Sequence, residues 1–263
     1  MIRKIFCMTA AAAAVFVFAS CNCCLSGTKS TLGQPIANTA NDAGFAKVTT
    51  AALNNQWASR IKEKQAQVDK EAKDIKLLLI GDSITHFWEN AGKSVMDSNF
   101  GKYHPLNLGF AGDRTQHTLW VLDKCDILNK IKPQLVTIMI GTNNFGAHEG
   151  GVEATAEGIR QIVLSVRRQL PDAKIVLYGI FPRGSMFSQE YRPEFKQEID
   201  GVNAIISKFA DNKNVFYEDL GPKFLNEKGE LTREIMNDRL HPTAKGYEIW
   251  ADSIRPYAEK YIK

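Results

Sequence analysis

The chain is 263 residues long, 44% hydrophobic and 24% charged, with Lys+Arg 33 against Asp+Glu 29 and a formal charge of +4. This is ordinary globular composition, which excludes an extensively disordered chain, a collagen-like repeat and a disulfide-dense mini-protein. The near-neutral balance carries no electrostatic footprint for nucleic acid, and only one apolar run, at the extreme N-terminus, approaches membrane-spanning length, so a multi-span membrane protein is excluded.

That N-terminal run reads as an address. Arg3 and Lys4 form a short positive region, and residues 5–19 are an apolar stretch too short to span a bilayer but suited to a signal peptide over residues 1–20. Phe18, Ala19, Ser20 and Cys21 resemble a bacterial lipobox, which implies lipidation at Cys21 and a chain held outside the cytoplasm on a membrane, periplasmic or at the cell surface. The alternative is ordinary cleavage near Ser20 and a secreted protein. Cys7, Cys21, Cys23 and Cys24 all lie in this region, so Cys125 is left alone in the globular part, with no internal disulfide available. Residues 21–45, rich in Ser, Thr, Gly, Asn and Ala, have the composition of a flexible tether ahead of a domain over 46–263.

From 51 to 73 the pattern is helical, with Trp57, Ile61, Val68 and Ala72 on one face. The Lys- and Glu-rich stretch from Arg60 to Lys76 reads as a solvated helix face. A regular alternation follows. Apolar runs at 75–80, 106–108, 135–140, 175–178 and 215–217 read as strands, the first four each closed by a glycine. Helical segments are expected at 85–98, 115–129, 151–169, 193–210 and 243–262. Buried strands alternating with amphipathic helices define an α/β fold, a three-layer α/β/α sandwich around a five-stranded parallel sheet.

In such sheets ligands gather at the C-terminal ends of the strands. There the sequence places Gly81-Asp82-Ser83, then Gly109-Phe110-Ala111-Gly112-Asp113, then Gly141-Thr142-Asn143-Asn144. Ester hydrolysis by a serine needs a hydroxyl nucleophile, a histidine to take its proton, an acid to orient that histidine and donors for the oxyanion. Ser83 follows a strand-ending glycine and aspartate, and far downstream Asp238 and His241 stand three residues apart before the final helix. The Gly-x-Ser-x-Gly elbow of α/β-hydrolases is absent at Ser83. His86, His104, His117 and His148 show no paired spacing for a metal, and no cofactor motif is present. Asp82 and Asp113 read as structural, Trp88 as core, and Arg114 and Arg183 as candidate substrate contacts.

The blocks GDSI at 81–84, NLGFAGDRT at 107–115, GTNN at 141–144 and DRLHP at 238–242 resemble, in order, those of the SGNH, or GDSL, hydrolase family, with a flavodoxin-like fold. The segments at 109–120, 141–146 and 181–184 are similar to the catalytic subunits of intracellular platelet-activating-factor acetylhydrolase. This resemblance implies Ser83 as nucleophile, His241 as general base and Asp238 as its orienting acid. It also implies an oxyanion hole from the N–H groups of Ser83 and Gly112 and the amide of Asn143. Asn144 stands where many members have Asp and matches the acetylhydrolase-like branch. The resemblance implies an ester substrate, no metal or other cofactor, and a homodimer. Acetylated carbohydrate is the first expectation for the ester, lipid esters the second, and a non-catalytic binding module the third.

Overall fold

The computed structural model describes residues 30–34, 51–146, 151–185 and 187–263. Five parallel strands form the sheet: β1 (Leu77–Gly81), β2 (Leu106–Gly109), β3 (Leu135–Met139), β4 (Lys174–Tyr178) and β7 (Val215–Glu218), in the order β2-β1-β3-β4-β7. A second sheet is a two-residue antiparallel pair, β5 (Arg183–Gly184) with β6 (Pro193–Glu194). Strand side chains alternate between two cores because successive residues point to opposite faces. Leu78, Ile80, Val136, Ile138, Ile175 and Leu177 face one core, whereas Leu77, Leu79, Leu135, Met139, Val176 and Tyr178 face the other.

The first core is covered by α1 (Ala51–Glu71), α4 (Thr115–Lys124), α6 (Gly151–Gln169) and α7 (Lys196–Ile206). The second is covered by α3 (Lys93–Phe100) and α9 (Ala244–Tyr261), whose Tyr247, Trp250 and Ile254 are fully buried. Three short helices complete the chain: α2 (Ser83–His86), α5 (Thr142–Gly146) and α8 (Gly221–Phe224). From β1 the chain steps outward to β2, then returns past β1 to build β3, β4 and β7 on the other side. The order therefore reverses at β1, which opens a crevice at its C-terminal end.

Several expectations need correction. The helix expected over 85–98 is three pieces: α2, a 3-10 turn Phe87–Glu89, and α3. Asn90, at φ −119° and ψ −98°, ends the turn, and a side chain at Gly92 would sit 2.8 Å from the rings of Trp88 and Tyr247. Residues 193–210 begin as a strand and reach helix only after Phe195, at φ 54°. The helix expected to 129 stops at Lys124, with Asp126 in the left-handed region. The charged face of α1 is not all solvated, since Arg60 and Lys64 are both buried. Arg60 donates to the carbonyls of Gly109 and Asn107 and pairs with Glu89 at 2.7 Å, and Lys64 reaches the same carboxylate at 2.8 Å. Within the stretch read as tether, the Ser30 hydroxyl donates to Phe209, Thr31 N–H donates to Lys208, and Leu32 packs on the core. Cys21 and the signal segment lie outside the described residues.

Candidate active site

Ser83 opens α2 directly after β1. Asp82 caps that helix, its Oδ1 accepting from Ile84 N–H at 2.9 Å. The close fit of β2 behind this turn depends on Gly109, where a Cβ would lie 2.3 Å from the backbone nitrogen of His86. Asn107 braces the same junction. Its amide donates to Thr85 O at 2.9 Å, and its Oδ1 accepts from Gly109 N–H at 2.8 Å.

Beyond β2, Gly112 adopts φ +82°, a left-handed conformation that glycine takes without strain. Phe110 N–H donates to Gly81 O at 3.1 Å and fastens this turn to the end of β1. Asn143, in α5 after β3, donates its amide to Asp113 O at 2.9 Å. Asn144 points the other way. Its Oδ1 accepts from Thr115 N–H at 3.1 Å and its amide donates to Thr115 Oγ1, so it fixes the start of α4. Among the described residues neither the Ser83 nor the Gly112 N–H donates to an acceptor.

The segment before α9 delivers the other two groups. Asp238 Oδ1 accepts from the N–H groups of Leu240 (3.0 Å) and His241 (2.7 Å), and its Oδ2 lies 2.6 Å from His241 Nδ1. His241 Nε2 lies 2.9 Å from Ser83 Oγ. The imidazole packs on Phe87, with ring centroids 4.9 Å apart. Burial alone would raise the Asp238 carboxyl, but the hydrogen bonds from His241 and Leu240 outweigh it and hold the group below the ordinary aspartate range. His86 and His117 are different. Burial, with Arg60 and Arg114 respectively adding to it, lowers each to about 4, so both are neutral imidazoles near neutral pH. His117 Nδ1 accepts from Arg114 N–H at 3.1 Å. A serine hydroxyl, an imidazole and a carboxylate in this line can transfer one proton from oxygen to ring nitrogen and stabilise the resulting cation.

The structure thus brings together Ser83, Asp238, His241 and the Gly112 and Asn143 turns. Trp88 is core, 1% exposed. Arg183 lies beside the site, 3.5 Å from Thr142 Oγ1 and paired with Glu194. Sequence reasoning missed the bracing roles of Asn107 and Arg239, which lie inside the motif blocks, and of Tyr247, which lies outside them. Among the described residues no group of three His, Cys, Asp or Glu is placed to hold a metal.

The model of the GDSL-like lipase/acylhydrolase family matches residues 79–249, a span containing every one of these groups. The chain belongs to that family. As a GDSL acylhydrolase it is a serine ester hydrolase. It is 31% identical over 195 residues to human platelet-activating factor acetylhydrolase IB subunit alpha2, covering 74% of this chain and 80% of that protein. Among solved structures it superposes on a GDSL-like lipase from Bacteroides thetaiotaomicron with a TM-score of 0.61 at 21% identity, covering 82% of this chain and 98% of that one. An acetyl xylan esterase gives a TM-score of 0.56 at 22% identity, covering 70% and 99%.

Proposed function

We propose that this acylhydrolase removes short acyl groups, acetyl above all, from carbohydrate. The hydrogen-bonded line from Asp238 through His241 to Ser83 carries the hydrolytic part of this reading. Ser83 Oγ attacks the ester carbonyl while His241 Nε2 takes its proton. The oxyanion is held by the N–H groups of Ser83 and Gly112 and by the Asn143 amide. As the tetrahedral adduct collapses, the alcohol leaves with the proton from His241. Water, deprotonated by the same ring, then attacks the acyl-enzyme and releases the acid. Asp238 holds the ring's tautomer and stabilises its cation.

Two observations favour a sugar as the alcohol half. An acetyl xylan esterase shares the fold. A crevice of about 320 Å³ at the ends of β4 and β7 has a mainly apolar wall that includes Ile180, Ile199 and Leu225, with the Tyr191 ring and the charged groups of Arg183 and Glu194 beside it, an aromatic face for stacking and hydrogen-bonding groups for hydroxyls. A lipid ester is the second reading, favoured by the identity to the acetylhydrolase subunit. We further propose that Cys21 is the lipidated first residue of the mature chain. It lies nine positions before Ser30, where the chain is fastened to the domain, a reach of at most about 30 Å.

Acetate release from acetylated oligosaccharides and from lipid acetyl esters, with wild type beside Ser83→Ala, tests the reading. Release from sugars that the substitution abolishes supports it. Release from lipid esters alone moves the second reading to first place. Equal labelling of wild type and Ser83→Ala by a fluorophosphonate probe defeats the nucleophile assignment. For the anchor, metabolic palmitate should label the full chain and not Cys21→Ala.

A further inference from the structure

Helix α1 ends before residue 79, where the span shared with the family begins, yet its side chains reach both of the turns that carry Ser83 and Gly112. The Arg60 side chain is 7% exposed, and each nitrogen of its guanidinium is committed. Nε donates to Gly109 O at 2.9 Å, Nη2 to Asn107 O at 3.3 Å and Nη1 to Glu89 Oε2 at 2.7 Å. The guanidinium carbon also lies over the Phe110 ring, 5.4 Å from its centroid. Three positions earlier, Trp57 meets the rings of His86 and Phe110 edge-on, at 5.7 and 6.1 Å.

These partners fall into two groups. Asn107, Gly109 and Phe110 form the end of β2 and the start of the turn that presents Gly112. His86 closes α2, the helix that Ser83 opens, and Glu89 ends the 3-10 turn after it. Arg60 therefore spans from one turn to the other with a single planar group. The Phe110–Gly81 hydrogen bond and the Asn107 amide on Thr85 O tie the same two segments. An oxyanion accepts from the Ser83 and Gly112 N–H groups together only while those turns keep a fixed separation.

We propose that Arg60 is a positioning residue for the ester hydrolysis, fixing the Gly112 turn against the Ser83 turn so that their N–H groups converge on one oxyanion. The inference rests on the reading of Ser83 and Gly112 as oxyanion donors. The residue type has a physical reason. A guanidinium offers its donors in a rigid plane, so each bond it makes fixes the direction of the others, whereas an ammonium is a point charge on a flexible stem. Lys64 supplies the comparison within the molecule. It is 5% exposed and binds the other oxygen of Glu89 at 2.8 Å. Among the described residues its hydrogen bonds go to Glu89 and to Glu63 on its own helix, neither of which belongs to the Gly112 turn. Both cations neutralise one carboxylate, and Arg60 also holds the end of β2.

The test compares the full wild-type chain with Arg60→Lys, Arg60→Met and Lys64→Met, each at a temperature well below its Tm. On p-nitrophenyl acetate, after subtraction of the Ser83→Ala rate, Arg60→Lys should lower kcat by about tenfold and Arg60→Met by about tenfold to hundredfold, with KM nearly unchanged. Inactivation by a fluorophosphonate, whose adduct also sets an oxygen among the oxyanion donors, should slow in step. Lys64→Met takes a cation from the same buried carboxylate, so it should lower Tm while leaving both rates near those of wild type. If Arg60 is merely structural, its variants will lose Tm and keep the wild-type kcat in the folded protein, and that result overturns the proposal. A fall in kcat as large in Lys64→Met as in Arg60→Lys overturns it too. The site reading is decided separately, because equal fluorophosphonate labelling of Ser83→Ala and wild type would remove the oxyanion donors on which the proposal stands. Arg60→Lys keeps a charge beside Glu89 and decides the matter even where Arg60→Met does not fold.

Discussion

The Tyr247 hydroxyl donates to the carbonyl oxygen of Ile84 at 2.7 Å, joining the final helix to the residue after Ser83. Tyr247 is wholly buried, with its ring 4.4 Å from that of Trp88. The Asp238–His241 segment runs into the same helix through Thr243, whose N–H donates to Ile235 O and whose hydroxyl caps α9. The Ser83 turn and the Asp238–His241 segment are thus both referenced to α9. Tyr247→Phe keeps the packing and leaves a buried carbonyl unpaired, at a cost of about 1–3 kcal/mol. Calorimetry should show a fall of about 2–4 °C in Tm per kcal/mol lost. An unchanged Tm would show that the bond contributes nothing.

Asp238→Asn should lower kcat by about 10³- to 10⁴-fold, because an amide presents the wrong partner to His241 Nδ1. The stability consequence has a definite sign. Asp238 is held below its ordinary range in the folded state, so its hydrogen bonds stabilise the protein above the pKa of an unfolded aspartate and are lost as pH falls through the folded value. Denaturant titrations across that acid range should therefore show a shallower decline for Asp238→Asn than for wild type. Parallel declines would mean that the carboxylate contributes no pH-linked stability.

Asn143→Ala should cost about 10²- to 10³-fold in kcat, roughly 3–4 kcal/mol, with little change in KM, as removal of one oxyanion donor does. A loss smaller than about tenfold on an acetyl ester would remove Asn143 from that role. Gly112→Ala meets no protein atom within 4 Å, so crowding inside the fold is not its difficulty. Its cost is the left-handed backbone at φ +82°, about 1–2 kcal/mol. The added methyl also stands at the turn where substrate would approach, so kcat/KM should fall further than the change in Tm accounts for.

Cys125 offers a control on probe chemistry. It is 5% exposed, and burial pushes its thiol up to about 11. In protein lacking residues 1–24, a disulfide-exchange reagent at pH 8 should leave it unmodified until denaturant is added. Rapid native modification would show that the helical layer over Cys125 opens readily.

The sheet was legible because five apolar runs alternate with amphipathic helices, a pattern set by burial on both faces. The breaks were less so. In residues 85–98 Asn90 and Gly92 are the local break signals, but the approach of the Tyr247 ring to Gly92 comes from a distant helix and has no counterpart in the local sequence. Arg60 and Lys64 carry the local signature of a solvated face. Their burial depends on Glu89 and on the carbonyls of Asn107 and Gly109, partners that no helical periodicity contains. At the site, Ser83 and His241 stand 158 positions apart, so their 2.9 Å approach was accessible only through the order of the motif blocks. Asn107 lay inside one of those blocks, and a side-chain amide at a strand end, able both to donate and to accept, was the available signal.

Arg239 also lay inside a block, at 238–242, and its geometry yields a final test. It lies between Asp238 and His241 at φ +64° and is 5% exposed. Its guanidinium donates to the carbonyls of Gln189 and Glu190, and its own carbonyl accepts from Gly184 N–H at 2.9 Å. Arg233 holds the neighbouring carbonyl of Ser188 at 3.2 Å. The excursion between β5 and β6, with Phe187 92% exposed on it, is therefore gripped by the segment that carries Asp238 and His241. Arg239→Ala removes the grip and keeps a Cβ in the left-handed region, whereas Arg239→Gly removes both. The glycine variant should be the more stable of the two by about 1 kcal/mol. Both should be cut by protease within 185–192 faster than wild type. Equal cleavage rates in all three proteins would mean that the excursion is held by its own β5–β6 pairing, and that Arg239 stabilises only the turn between Asp238 and His241.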